Sequence, residues 1–164
     1  MRVLGIDPGS RLTGWALVES SGTKLLVLGV GVAAPSAVAT LATRLGSIAA
    51  EVDRLITAWT PESVAVERAF VGRNIASALR LGEVRGAVLA VAGRRGLAVV
   101  DYPPATVKLA VAGSGAAQKD AVARGVSALT GGSYEAGDAT DALAIAICHL
   151  RHESFARRLK PAQA

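Results

Sequence analysis

Residues 1–20, MRVLGIDPGSRLTGWALVES, set a puzzle at position seven. Val3, Leu4 and Ile6 are strand formers, yet the run stops on Asp7, and Pro8 and Gly9 end the strand behind it. An acid at the end of a buried strand has two readings. It accepts backbone hydrogen bonds in an Asp-Pro-Gly turn, or it joins other acids that the fold carries to the same place. The stretch alone allows both, so the decision lies in where the remaining carboxylates fall.

Residues 13–19 and 24–33 are also β-rich, and the breaks PGSRL and SSGT separate them, which predicts a three-stranded antiparallel meander. From Ser36 onward Leu41, Leu45, Ile48, Val52, Leu55 and Ile56 recur at helical spacing up to TAWTP, predicting the first long helix. SVAVERAF, residues 63–70, alternates as a buried strand and carries its own terminal acid, Glu67. VGRN, residues 71–74, reads as a loop, with Asn74 as the N-cap of a helix running to Gly93. LAVVDY, residues 97–102, predicts a fifth strand. A Pro-initiated helix near 104–112, a flexible GSGAAQKD, a helix over 121–131, a loop and a closing helix from Asp138 complete the chain. This order predicts an α/β fold, a mixed five-stranded sheet flanked by helices. One domain over 1–155 and a basic, disordered tail over 156–164 account for all 164 residues.

Composition narrows the function. There are 18 Lys and Arg against 13 Asp and Glu, a net charge of +5, and 14 of the basic residues are Arg. The balance favours a polyanionic partner, although Arg-rich composition alone also produces it. Hydrophobic residues make up 51% and aromatics only 4%, which predicts a core of Ala, Val, Leu and Ile. The single cysteine, Cys148, excludes an internal disulfide and reads as a buried small hydrophobe in a reducing compartment. Arg2 and Asp7 leave no room for a signal-peptide core. The longest uncharged stretch, residues 25–43, is interrupted by Pro35 and reads as strand, turn and helix start rather than as a membrane span. The expectation is a cytoplasmic protein with no membrane partner.

Four acids share an unusual setting. Asp7 and Glu67 end apolar strands, and Asp138 and Asp141 stand three apart, on one helix face, at the head of an apolar helix. Acids in a first helical turn also cap N–H groups and complement the macrodipole, which explains the last pair without any site. Several carboxylates gathered together, however, repel one another and need a counter-ion. An all-oxygen set suits Mg2+ or Mn2+, whereas His149 and His152 lack a third ligand for zinc. Two ions held about 4 Å apart activate water and stabilise the leaving oxygen in phosphodiester hydrolysis. On a basic protein this arrangement predicts a nuclease.

GIDPGSRLTGWAL, VERAFVGRNIASALRLGEVRGAV, ATVKLAVAGSGAAQKDAV and DATDALAIAICH, in this order and at these separations, resemble the RuvC family of Holliday-junction resolvases. GIDPG alone also resembles the nucleotide-binding strand of sugar kinases and actin-like ATPases. The resemblance implies a ribonuclease-H-like fold, a homodimer, and paired nicking of four-way junction DNA with Mg2+ or Mn2+, and the paired-ion chemistry above puts the expectation at two ions per subunit. It also implies a branch-migration helicase partner. Its acidic quartet falls on Asp7, Glu67, Asp138 and Asp141, and its two functional lysines on Lys108 and Lys119.

Read from the residues, Lys119 at a helix start can meet a phosphate, as can Lys108, although both also fit ordinary solvated lysines. Arg73, Arg80 and Arg85 are candidate backbone-phosphate contacts with Asn74 beside them, or partners for Glu83. Phe70, following Glu67, is placed to wedge between bases or to fill the core under its loop. Gly82 and Gly86, four apart on one helix, suit a close helix approach within or between chains. An actin-like phosphotransferase would need a second copy of the core, and a non-catalytic junction binder would not need the acids. A ribonuclease-H-like nuclease acting on RNA remains open on the residues alone.

Overall fold

A computed structural model describes residues 1–9, 11–68 and 75–159. Five strands form one sheet: β1 (Arg2–Asp7), β2 (Thr13–Ser21), β3 (Lys24–Ala33), β4 (Ser63–Glu67) and β5 (Ala98–Tyr102). Their spatial order is β3-β2-β1-β4-β5. The short turns of the meander make β1–β2 and β2–β3 antiparallel, and helical crossovers make β1–β4 and β4–β5 parallel. The mixed five-stranded sheet is therefore the one the sequence predicts.

Side-chain alternation splits the core into two layers. Leu4, Ile6, Leu17, Val64 and Val66 face α1 (Leu41–Trp59) and α2 (Ile75–Arg94). Val3, Ala16, Val18 and Ala65 face α3 (Pro104–Ala112), α4 (Lys119–Thr130) and α5 (Asp138–Leu159). Helix α5 lies against β1 and β2 on one side and against α3 and α4 on the other. That double cover explains why every residue from Ala142 to Leu150 is buried, so its sequence shows an apolar run rather than a stripe.

His149 is among those buried residues. Its Nε2 lies 2.9 Å from Ser63 Oγ and its Nδ1 2.9 Å from Tyr102 OH, tying α5 to β4 and β5. Burial lowers its pKa, which favours the neutral ring that two hydroxyl partners satisfy.

Three helix boundaries differ from expectation by two residues or more. Helix α1 begins at Leu41 rather than Ser36, because Thr40 Oγ1 accepts the Thr43 N–H at 3.3 Å and caps the helix there. Helix α4 begins at Lys119, two residues earlier than the predicted start. The predicted tail from 156 is helical as far as Leu159, since α5 continues past its buried segment. Among the described residues, no helix is long and apolar enough to cross a membrane.

Candidate metal centre

Strand parity delivers the first two acids. Val3 and Ala65 face α5, so Asp7 and Glu67, each an even number of residues further along, emerge on that same side. Parallel pairing of Ile6 with Val66 makes both strands end together. The first turn of α5 brings Asp138 and Asp141 to this end, where the Asp141 N–H donates to the Gly137 carbonyl at 2.9 Å. One carboxylate oxygen from each of Asp7, Asp138 and Asp141 lies within 4.8 Å of the others. Glu67 joins them in lining a cavity of about 240 Å³, whose wall also holds Lys108 from α3 and Lys119 from α4.

The gathering of acids perturbs their protonation. Asp7 is pushed up to about 7, first by burial and then by Glu67, Asp141 and Asp138, with Lys119 opposing. Glu67 is also raised, by burial and by Asp141, against the pull of Lys108 and Lys119. Lys119 Nζ donates to Asp141 Oδ2 at 3.3 Å, and that carboxylate raises the lysine's pKa. Carboxylates that are costly to ionise together form a hard, all-oxygen donor set, which fits Mg2+ or Mn2+.

If Asp7 ligates a cation, binding must displace the Asp7 proton. Affinity for Mn2+ should therefore rise about tenfold per pH unit below about pH 7 and flatten above it. Calorimetric Mn2+ titrations across this range, in buffers of different ionisation heat, measure both the affinity and the proton released.

Residues 3–149 match the family profile described as crossover junction endodeoxyribonuclease RuvC. The chain belongs to the RuvC family. It is 43% identical over 162 residues to the RuvC of Acidiphilium cryptum, covering 98% of this chain and 97% of that one. The RuvC of Chlorobaculum parvum is 48% identical over 152 residues, 92% of this chain and 81% of its own. Thermus thermophilus RuvC, solved in complex with a Holliday junction substrate, superposes with a TM-score of 0.88 at 36% identity over 95% of this chain and 96% of its own. The yeast mitochondrial resolvase Ydc2 shares the fold, with a TM-score of 0.70 at 14% identity over 96% of this chain and 82% of its own. The RuvC match bears out the ribonuclease-H-like fold that the four motifs imply.

In this RuvC-family chain the structure brings together six of the residues singled out in the sequence: Asp7, Glu67, Lys108, Lys119, Asp138 and Asp141. Arg80 lies elsewhere, lining a cavity between α1 and α2 with Arg44. Arg85 pairs with Asp101 rather than with Glu83, through contacts of 2.6 and 2.7 Å that fasten α2 to β5. Phe70, Arg73 and Asn74 lie outside the described residues. Pro104, Val107, Val122 and Ala144, which the sequence reading passed over, supply the cavity's apolar wall. The signal for Pro104 and Val107 is their position just beyond a parallel strand's carboxyl end, where open α/β sheets place ligands.

Proposed function

We propose that this RuvC-family chain acts as a homodimer that resolves four-way DNA junctions in recombination and repair, each subunit making one divalent-metal-dependent nick. The carrying observation is the convergence of Asp7, Asp138 and Asp141, with Glu67 on the same cavity, beside Lys108 and Lys119, in a RuvC-family chain. When bound, two divalent cations supply positive charge to the scissile phosphate and make a water more acidic. The four carboxylates hold that charge in place. Lys119, whose side chain is 69% exposed, is free to exchange its Asp141 contact for a phosphate oxygen. Lys108 adds a second cation on the Glu67 side.

A homodimer supplies the two-fold pair of sites that two like cuts on a junction require. Helix α2 supports this reading. Ile75, Leu79, Gly82 and Gly86 follow at spacings of four, three and four on one exposed face. Among the described residues, no atom beyond the neighbouring residues and the helix's own backbone lies within 4 Å of where a Cβ would stand on either glycine, so a second helix can approach closely. Leu79→Asp should convert the dimer to monomers at micromolar concentration, measured by sedimentation. A branch-migration helicase completes the reading as the partner that the family resemblance implies.

The test is a panel of end-labelled four-way DNA, duplex DNA, RNA–DNA hybrid and ATP, each with Mg2+ or Mn2+. Symmetric incisions confined to the four-way DNA are expected. Preferential cutting of the hybrid would instead support a ribonuclease, and phosphate release from ATP would support an actin-like phosphotransferase.

A further inference from the structure

Beneath the acid-bearing turns of α5, the sheet loses its side chains. On the α5 face, β1 runs Val3, Gly5, Asp7, and β2 runs, towards the same end, Val18, Ala16, Gly14. Side-chain size thus tapers to nothing beside Asp7, whose register partner is Gly14. A Cβ on Gly14 would overlap the Asp138 carbonyl oxygen and stand 2.5 Å from the Asp138 carbonyl carbon. A Cβ on Gly5 would overlap the Ala142 carbonyl oxygen and stand 2.8 Å from the Ala146 nitrogen. These obstacles are backbone atoms, so no rotamer change relieves them, and only movement of the helix can.

We propose that Gly5 and Gly14 are positioning residues of the metal centre. By leaving nothing between sheet and helix on both sides of the Asp138–Asp141 turn, they let α5 descend until its acids reach Asp7. The inference rests on the divalent-metal reading of the site. A small cation tolerates little change in ligand separation, so lifting this turn weakens metal binding beyond any general loss of stability.

The full-length Gly14→Ala and Gly5→Ala variants test this, with Val88→Ala as control. Val88 is buried on the opposite side of the sheet, where truncation costs stability without touching α5. Three quantities are read: Mn2+ uptake, from the electron paramagnetic resonance signal of the free ion; junction affinity without divalent metal; and the urea midpoint. Gly14→Ala should raise the half-saturating Mn2+ concentration about tenfold or more, with Gly5→Ala moving in the same direction. Metal-free junction affinity should stay within about twofold of the parent. Val88→Ala should lower the urea midpoint yet bind Mn2+ as the parent does. Parental Mn2+ affinity in folded Gly14→Ala, or an equal loss in Val88→Ala, would overturn the positioning role. So would failure of both glycine variants to fold while Asp7→Asn folds, because the close approach would then serve the core rather than the site. Absence of Mn2+ uptake by the parent would instead overturn the metal reading itself, and this inference with it.

Discussion

Asp7→Asn should lose junction cleavage by on the order of a thousandfold or more while binding the junction as the parent does. Charge stabilisation by site-bound cations is worth several kcal/mol at the transition state, and about 4 kcal/mol corresponds to three decades in rate. Asp7 is the sheet's contribution to the tight carboxylate group, and Asn preserves its shape while removing its charge. A second, opposite effect accompanies the loss. Folded Asp7 titrates at about 7 against an ordinary 3.8, so its protonated form contributes stability that is fully present below about pH 3.8 and lost as pH rises through about 7. Asn cannot ionise. In a chelator at pH 8 the variant should therefore be more stable than the parent, by on the order of 2–4 kcal/mol, and the difference should vanish near pH 4. Gel-based cleavage, junction titration in Ca2+ and thermal melts across pH measure the three quantities. Parental cleavage by the folded variant would remove Asp7 from the site.

The second large effect concerns coupling of the two cuts. All four acids come from one chain, Asp7 and Glu67 from the sheet and Asp138 and Asp141 from α5, so each subunit of the proposed dimer would carry a complete set. A dimer of one parent and one Asp7→Asn subunit should nick one strand and leave its opposite strand whole. A supercoiled cruciform plasmid separates the outcomes, because one nick relaxes it to an open circle whereas paired cuts linearise it. Open circle should predominate by about tenfold over linear product, given the rate loss expected of the substituted site. Mostly linear product from verified mixed dimers would contradict one site per subunit. Absence of any product would mean that the site is shared between subunits.

Much of the site was legible in the sequence. Asp7 and Glu67 stand out in the sequence because each ends an apolar strand, whereas both faces of those strands are buried, so only the fold shows that strand parity turns both acids toward α5. Asp138 and Asp141 were legible from helical spacing, although their first-turn position also fits simple capping. Lys119 was less so, since a lysine at a helix start is ordinarily solvated, and only the fold shows Asp141 3.3 Å away. The Arg85–Asp101 pair joins α2 to the edge strand β5, a contact that local spacing does not reveal. The start of α1 was misplaced because residues 36–40 carry no strong breaker, and the cap at Thr40 depends on one side-chain hydrogen bond. Gly14 was visible as a glycine inside a strand, but its meaning required knowing which backbone crosses above it.

In the proposed mechanism Asp7, Glu67, Asp138 and Asp141 together hold the cations at which the junction is cut. Anomalous diffraction from crystals of the junction complex soaked in Mn2+ tests it most directly. Mn2+ peaks are expected about 2.0–2.3 Å from carboxylate oxygens of Asp7 and of the α5 acids, with Glu67 facing the same ions. Manganese found only at other residues, in crystals whose junction is cut on soaking, would contradict it.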